Sequence, residues 1–541
     1  MGRGLLATYL PILIVIICPI IFVLPMLGGI ELIGLNDWDL FMSYYQPVRE
    51  ALLAHQFPWW NPYNSGGIPL FGNPQVGVIS LQTPFIFLFG VVAGLKYAAV
   101  LYYVLGSTGM YFLTRRLASP TARAVLLSLV WTFSSFMAFH FYIGHYIFLS
   151  YLLVPWLFYW LIRCNDSIWF APVFGLSLGL FINTALHNTA IQALVFLTAA
   201  TPFVWWAGGR QLKTLGAYLL ALMVALPLAL PRVLLSHQFV SQYSRENEAI
   251  VQLPIPWQAA WRALTAANQT VSDTSLIQNV GWWEVSAFIG LLTIITAVAG
   301  MVISAFNRRY LPLVFCLLAL LAFVIALGNN LYQILTQLPV FDLMRVPGRW
   351  LAWVIFPIIL AIGATRVNQW RQIEVIICLA LAITVGQEVA FIRPQFKNIF
   401  NTTLPAVTKN KPFEQYEYYP AVEGGYTGMY PAQLAGYGEV WGYEAVLGYN
   451  WKAKATARCG VNNGCQLLSP NAELTFWSPN VVKLKRLDQG QITININPSS
   501  YLRVNGRWLY PESKVSELLE TVVVTDPADS IILEMRPQLF K

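Results

Sequence analysis

Two acids, Asp37 and Asp39, stand just past the end of an apolar run that fills residues 8–28. A carboxylate held beside low-dielectric surroundings can have a shifted pKa and take a proton from a hydroxyl, which is the work of a general base. The plainer reading of the pair is a solvated helix cap or turn. The residues downstream of the acids favour chemistry. Residues 57–75, FPWWNPYNSGGIPLFGNPQ, are dense in Pro, Gly, Asn and Trp, and a long ordered loop without periodicity more often carries function. Asn61 and Gln75 are the polar side chains of this loop read as substrate-binding. Between acids and loop, residues 40–53 have the pattern of an amphipathic helix lying in a lipid interface.

The elements that must position these residues are membrane spans. The 541-residue chain is 57% hydrophobic and 11% charged, against roughly 25% charged in a soluble globular protein. Its mean hydropathy is +0.56. Apolar runs at 8–28, 97–117, 121–142, 146–163, 167–187, 189–208, 213–234, 285–305, 311–328, 349–366 and 372–392 predict a mostly α, polytopic membrane domain over residues 1–392 with about eleven spans. The run that begins the chain is too long for a signal peptide and has no small-residue cleavage site, so it reads as the first span.

Residues 77–95 are also apolar. If they crossed, Arg115, Arg116 and Arg123 would land outside the membrane, and every later basic cluster would be inverted with them. Read as an interfacial or re-entrant segment, they leave Arg3, Arg115, Arg116, Arg123, Arg163, Arg210, Lys213, Arg308, Arg309, Arg366 and Arg371 all inside. That parity predicts an inner N-terminus, large outer loops at 36–95 and 235–284, and an extracytoplasmic C-terminus. It also accounts for the net charge of +8 without a nucleic-acid partner.

Residues 393–541 read as a β-sandwich-like domain. Stretches 481–487, 491–496, 522–525 and 530–536 alternate and are rich in β-branched residues, with turn sequences between them. The segment 412–451, dense in Tyr, Gly and Trp, reads as loops that could stack on sugar rings or simply pack. Cys459 and Cys465 enclose Asn-Asn-Gly turn chemistry, which suits a disulfide in an oxidising compartment. The remaining cysteines lie in or beside spans and read as packing residues.

An acid near the end of the first span, then FPWWNPYNSGGIPLFGNPQ, then GHYIFLSYLLVPW at 144–156 and MRVPGRW at 344–350 together resemble the YfhO-like bacterial membrane proteins of the GT-C glycosyltransferase superfamily. The resemblance covers most of residues 35–366 in motif order. It implies a GT-C fold in the bacterial cytoplasmic membrane, with a polyprenyl-phosphate sugar as donor and a glycan, lipid or protein as acceptor. It also implies an acid on the first outer loop that deprotonates the acceptor. Carried over, that acid is Asp39, with Asp37 as the alternative, since two acids are present and the spacing to Pro47 departs from the usual.

An inverting transfer also needs the departing phosphate stabilised. Arg345 and Arg349 are the first candidates, through bidentate guanidinium contacts, and anchoring to anionic headgroups is their alternative. Arg232, Arg245 and Arg262 come after them. His145 and His187, at the outer ends of spans, could bind sugar or phosphate or bond a neighbouring helix end. Glu284, beside Trp282 and Trp283, suits sugar recognition. Two acids and scattered histidines are compatible with a divalent cation, although no ligand spacing demands one. A phosphate-binding Gly-rich loop, HExxH and zinc-spaced CxxC are absent from the sequence, which leaves ATP hydrolysis and zinc proteolysis without support. The competing classes are a flippase for a lipid-linked glycan and a non-catalytic glycan-assembly subunit.

Overall fold

The computed structural model describes residues 2–34, 36–184, 186, 188–207, 209, 212–240, 254–270, 281–338, 344, 346–367, 371–407, 412–420, 428–440, 464–465, 467–497, 499–509 and 522–537. The fold is mostly helical, and its C-terminal region is β-rich. Among the described residues, eight helices are long and apolar enough to cross a membrane: Tyr9–Gly29, Val91–Arg116, Thr121–Ile143, Tyr146–Arg163, Thr189–Trp206, Leu212–Val240, Pro347–Ala364 and Arg371–Asn398. The Leu311–Ala326 helix meets Asn330–Thr336 at an 84° bend, and Phe170–Thr184 and Leu291–Phe306 are apolar but shorter. The last of these starts six residues later than its apolar run. Residues 285–290 lie outside the helix, and their polar groups bond to neighbouring segments: Phe288 N–H donates to the Ser135 hydroxyl at 2.7 Å, and the Ser286 hydroxyl lies 2.6 Å from it.

Residues 77–95 contain no continuous helix. A seven-residue helix, Thr83–Phe89, ends at Gly90 in the left-handed region, φ 82°. At 1.5 Å per residue this helix covers about 10 Å, far short of a bilayer.

The chain forms two compact units. The first comprises Met1–Ile30, Lys96–Pro227 and Glu248–Asn401; the second comprises Glu31–Leu95, Leu228–Asn247 and Thr402–Lys541. The loop after the first span, which the sequence assigns to the membrane domain, thus groups with the C-terminal β-rich chain.

In the first unit, burial sorts the helices into layers. The Pro347–Ala364 window is 100% buried and Thr121–Ile143 94%, whereas Tyr9–Gly29 and Arg371–Asn398 bury only 28%. The first pair forms the centre. The second pair leaves leucines and isoleucines exposed, a surface suited to lipid rather than water. Arg123, wholly buried, donates its Nε–H to Glu374 at 3.0 Å and its Nη1 to the carbonyls of Ile362 (3.0 Å) and Thr365 (2.6 Å). It staples three helices together and is more than a charge in a loop.

The second unit is built around the Asp37–Leu53 helix and a five-stranded antiparallel sheet. The sheet order is Arg507–Trp508, Leu502–Val504, Ser530–Met535, Val481–Arg486 and Ala472–Trp477. Val482, Leu484, Ile531 and Leu533 are buried while Lys483 and Lys485 are exposed, the two-residue period of a sheet with one covered face. Ile492–Ile494 pairs separately with Val522–Val524. All four sequence-predicted strands are present.

The Asp37–Leu53 helix departs from the expected interfacial helix. Residues from Leu40 through Val48 are all buried, so no apolar face is left to lie on lipid. Its polar side chains are served internally: Tyr45 Oη accepts from Gln82 Nε2 at 2.9 Å and from Gly77 N–H at 3.2 Å.

Arg232, also wholly buried, fixes the loop behind that helix. Its guanidinium donates to the carbonyls of Phe71, Asn73 (2.7 Å) and Val76 (2.8 Å). Arg232→Met should strand these acceptors and destabilise the protein by about 3 kcal/mol or more, at 1–3 kcal/mol per unsatisfied group. Thermal unfolding in detergent is the measurement. Unchanged unfolding temperature together with unchanged proteolysis of residues 71–76 would show that the loop does not depend on Arg232.

Candidate functional site

The polar cluster of the helical unit begins at a helix end. The Ser135–Ile143 helix stops at Gly144, which adopts φ 100°. That left-handed turn is open to glycine at little cost. It folds the chain so that His145 N–H donates to the His140 carbonyl at 2.9 Å. The two imidazoles then face each other with Nδ1 to Nδ1 at 2.8 Å, so one of them carries the shared proton. His140 is fully buried and stacks on Phe148 at 4.1 Å between ring centroids.

Glu284 comes to this pair on a short turn, Trp282–Glu284, held from both sides. Trp282 Nε1–H donates to Gln269 Oε1 at 3.0 Å, and the Ser286 hydroxyl donates to the same oxygen at 2.6 Å. Arg349 arrives on the turn Pro347–Leu351. There Gly348 permits close approach: a Cβ at that position would lie 2.4 Å from both Ile255 Cδ1 and Val285 Cγ1. Arg349 Nε and Nη2 donate to the two Glu284 oxygens at 2.6 and 2.8 Å, a bidentate fork. Its guanidinium lies 5.1 Å from the Phe148 centroid. Burial would raise the Glu284 pKa, but the charge and hydrogen bonds of Arg349, followed by the two histidines, overrule it and hold the carboxyl at about 2.

His140, His145 and Glu284 offer ligand atoms within 4.8 Å of one another. Two imidazoles and a carboxylate form a donor set suited to a divalent ion such as zinc. An ion bound there would share the carboxylate with Arg349.

Three residues singled out from the sequence, His145, Glu284 and Arg349, are therefore in one cluster. His187 and Arg345 lie outside the described residues, as does Arg245. Arg262 packs its guanidinium 5.5 Å from the Trp282 ring. His140 was not singled out. Its signal was the spacing His-x4-His with Gly144 before the second histidine, which allows one turn to set two imidazoles face to face.

The acids of the first outer loop occupy the second unit. Asp39 Oδ2 accepts from Met429 N–H at 2.6 Å and Oδ1 from Tyr430 N–H at 2.9 Å, capping the Met429–Leu434 helix across the fold. Burial raises its pKa, and the two amides offset part of that rise. Asp37 is partly buried in the first turn of its helix. Near Asp39, Glu439 is buried, and burial, joined by the Asp39 charge and only partly offset by a backbone hydrogen bond from Tyr419, pushes its pKa well up. Asn61 is wholly buried and serves the loop itself: its Oδ1 accepts from Tyr63 N–H at 3.0 Å, and its Nδ2 donates to Asn64 at 3.1 Å. Gln75 is partly buried, and its N–H donates to Asn73 Oδ1 at 3.0 Å. Cys465 is disulfide-bonded, while Cys459 lies outside the described residues.

The depressed pKa of Glu284 carries a stability prediction. A folded value of about 2 against an ordinary 4.5 gives a contribution fully present above pH 4.5 and lost as pH falls towards 2. Glu284→Gln leaves the guanidinium buried without its carboxylate, so the variant should lose about 3–5 kcal/mol at neutral pH. The gap from wild type should close on acidification through that window. A constant gap from pH 6 to pH 2.5 in thermal unfolding would show that the pair does not titrate in this way.

Compared with known proteins, the chain matches no family model and no curated protein.

Proposed function

We propose that the protein is a membrane glycosyltransferase that moves a sugar from a polyprenyl-phosphate donor to a glycan, lipid or protein acceptor on the extracytoplasmic face of the bacterial cytoplasmic membrane. The observation that supports this reading most is the Arg349, Glu284, His140 and His145 cluster beside the start of a wholly buried span. Transfer from a lipid phosphate needs donors aimed at the departing phosphoryl oxygens, in surroundings where each contact counts for more than in water. A guanidinium supplies a planar fork for those oxygens, and an imidazole can hand over a proton. Glu284 orients the fork and offsets its charge, so that a phosphate is bound without being retained. The isoprenoid chain is anchored by the bilayer itself, and the protein then has to recognise only a headgroup.

On the acceptor side, a sugar hydroxyl is a weak nucleophile and calls for a carboxylate base. Asp39 is the proposed base and Asp37 the alternative. The amides of Met429 and Tyr430 fix the Asp39 carboxylate, each oxygen keeps a further lone pair, and the raised pKa strengthens it as a proton acceptor.

Asp39→Asn should slow transfer from a polyprenyl-phosphate sugar by about 100-fold or more. It should also cost about 1 kcal/mol of stability as a weakened cap. Asp37→Asn should keep most of the rate. In the wild type, the acid limb of the rate profile should fall above the ordinary aspartate range, since the base works only when ionised and its pKa is raised. Wild-type rates in both variants would remove the base assignment. Lipid movement across proteoliposomes that survives both substitutions, with no transfer, would favour a flippase.

A further inference from the structure

At the far end of the span that carries Arg349, the helical unit contains a second feature that the proposed transfer does not use. Pro347–Ala364 covers 18 residues, about 27 Å at helical rise, close to the thickness of a hydrocarbon core. Just past its end lies Arg366, on the rim of a cavity of about 730 Å³ shared with Arg116, Arg308 and Arg309. The floor is apolar, formed by Leu113, Phe158, Ala200, Leu318, Leu360 and Ala364 from five helices. Trp206 and Tyr310 stand at the rim, both about half exposed, as amphipathic rings do at headgroup level.

The charges of this cavity do not cancel. Four guanidiniums face the single carboxylate of Asp166, which already pairs with Arg116 and, at 2.9 Å, with Arg163. Among the described residues, Arg308, Arg309 and Arg366 have no ion-pair partner. Arg308 also adopts φ 53° just after the Leu291–Phe306 helix, a conformation that is unfavourable for an L-residue and that glycine adopts freely. Charge bias alone gathers arginines at inner helix ends. It does not make several of them converge on one greasy cavity, nor favour an arginine at a strained position.

We propose that this cavity binds an anionic phospholipid. Arg308, Arg309 and Arg366 hold the phosphate through charge-assisted hydrogen bonds, and the first part of an acyl chain lies on the floor. A cavity of this size takes a drug-sized ligand, so the rest of the chains follow the exposed apolar flanks. Basic pockets between helices at a membrane surface are suited to this class of ligand. The site would tie the spacing of five helices to lipid composition.

The test uses the full chain in detergent, with native mass spectrometry after titration with phosphatidylglycerol, phosphatidylcholine or inorganic phosphate. Wild type should retain phosphatidylglycerol in preference to phosphatidylcholine. The triple variant Arg308→Gln, Arg309→Gln, Arg366→Gln should lose roughly 100-fold in retention. A control that removes two charges elsewhere, Lys213→Gln with Arg371→Gln, should bind as wild type does. The rim residues are exposed, so the triple variant should unfold at the wild-type temperature. Equal retention by the triple variant, equal binding of the zwitterionic lipid, or displacement by millimolar inorganic phosphate would each overturn the proposal.

Discussion

A guanidinium and a carboxylate, each with about 12% of its side chain exposed, hold one another at the centre of the helical unit's polar architecture. Neither Arg349 nor Glu284 could occupy that position alone, since an unpaired charge in apolar surroundings costs several kcal/mol. Their pairing in turn sets demands on the chain. Residues 285–290 must leave helical geometry to bring Glu284 in, which frees backbone groups that lipid cannot satisfy. Ser135 accepts from the Phe288 N–H and the Leu264 carbonyl from those of Ile289 and Gly290, while Gln269 ties together the side chains of Trp282 and Ser286. Gly348 must lack a side chain for the segments of this arrangement to close. The two histidines complete the cluster because Gly144 lets the chain reverse beside it.

The second unit solves a similar problem with different chemistry. Its loop is irregular and largely buried, so each of its peptide groups needs a partner. Asparagines provide many of them, since a short amide donates and accepts from one position. Asn480 Oδ1 accepts from Trp59 and Trp60 N–H while its Nδ2 donates to the Phe57 carbonyl at 2.6 Å. Asn497 Nδ2 donates to the carbonyls of Ser65 and Gly67 at 2.6 and 2.8 Å. Asp39 serves in the same way, with its carboxylate on two amides. The Asn- and Gly-rich composition of residues 57–75 is thus a matter of backbone satisfaction as well as of any ligand.

This contrast explains what could be read in advance. Apolar runs announce helices because a span needs about 20 greasy residues in succession, and basic-residue parity ruled against a crossing at 77–95, where the chain indeed breaks at Gly90. Glu284, His145 and Arg349 stood out because charged residues next to spans are costly and therefore informative. His140 did not, since a lone histidine inside an apolar helix reads as packing until the turn at Gly144 brings its partner round. The cap on Asp39 was beyond reach for another reason: its amides lie 390 and 391 residues away, and nothing in the local sequence encodes such a contact. The burial of the Asp37–Leu53 helix was misleading for the same reason, because its covering elements come from remote parts of the chain.

Two sites at opposite ends of one buried span differ in the way their charges are held. At the first, Arg349 is enclosed and already matched by Glu284, so an anion gains from it only by meeting the geometry of a preset fork. At the second, the arginines of the rim are solvent-exposed and mostly unmatched, so attraction is long-ranged, tolerant of shape and weakened by salt. On the proposed readings, the first arrangement would discriminate between ligands by geometry, and the second would respond to the charge of a surface.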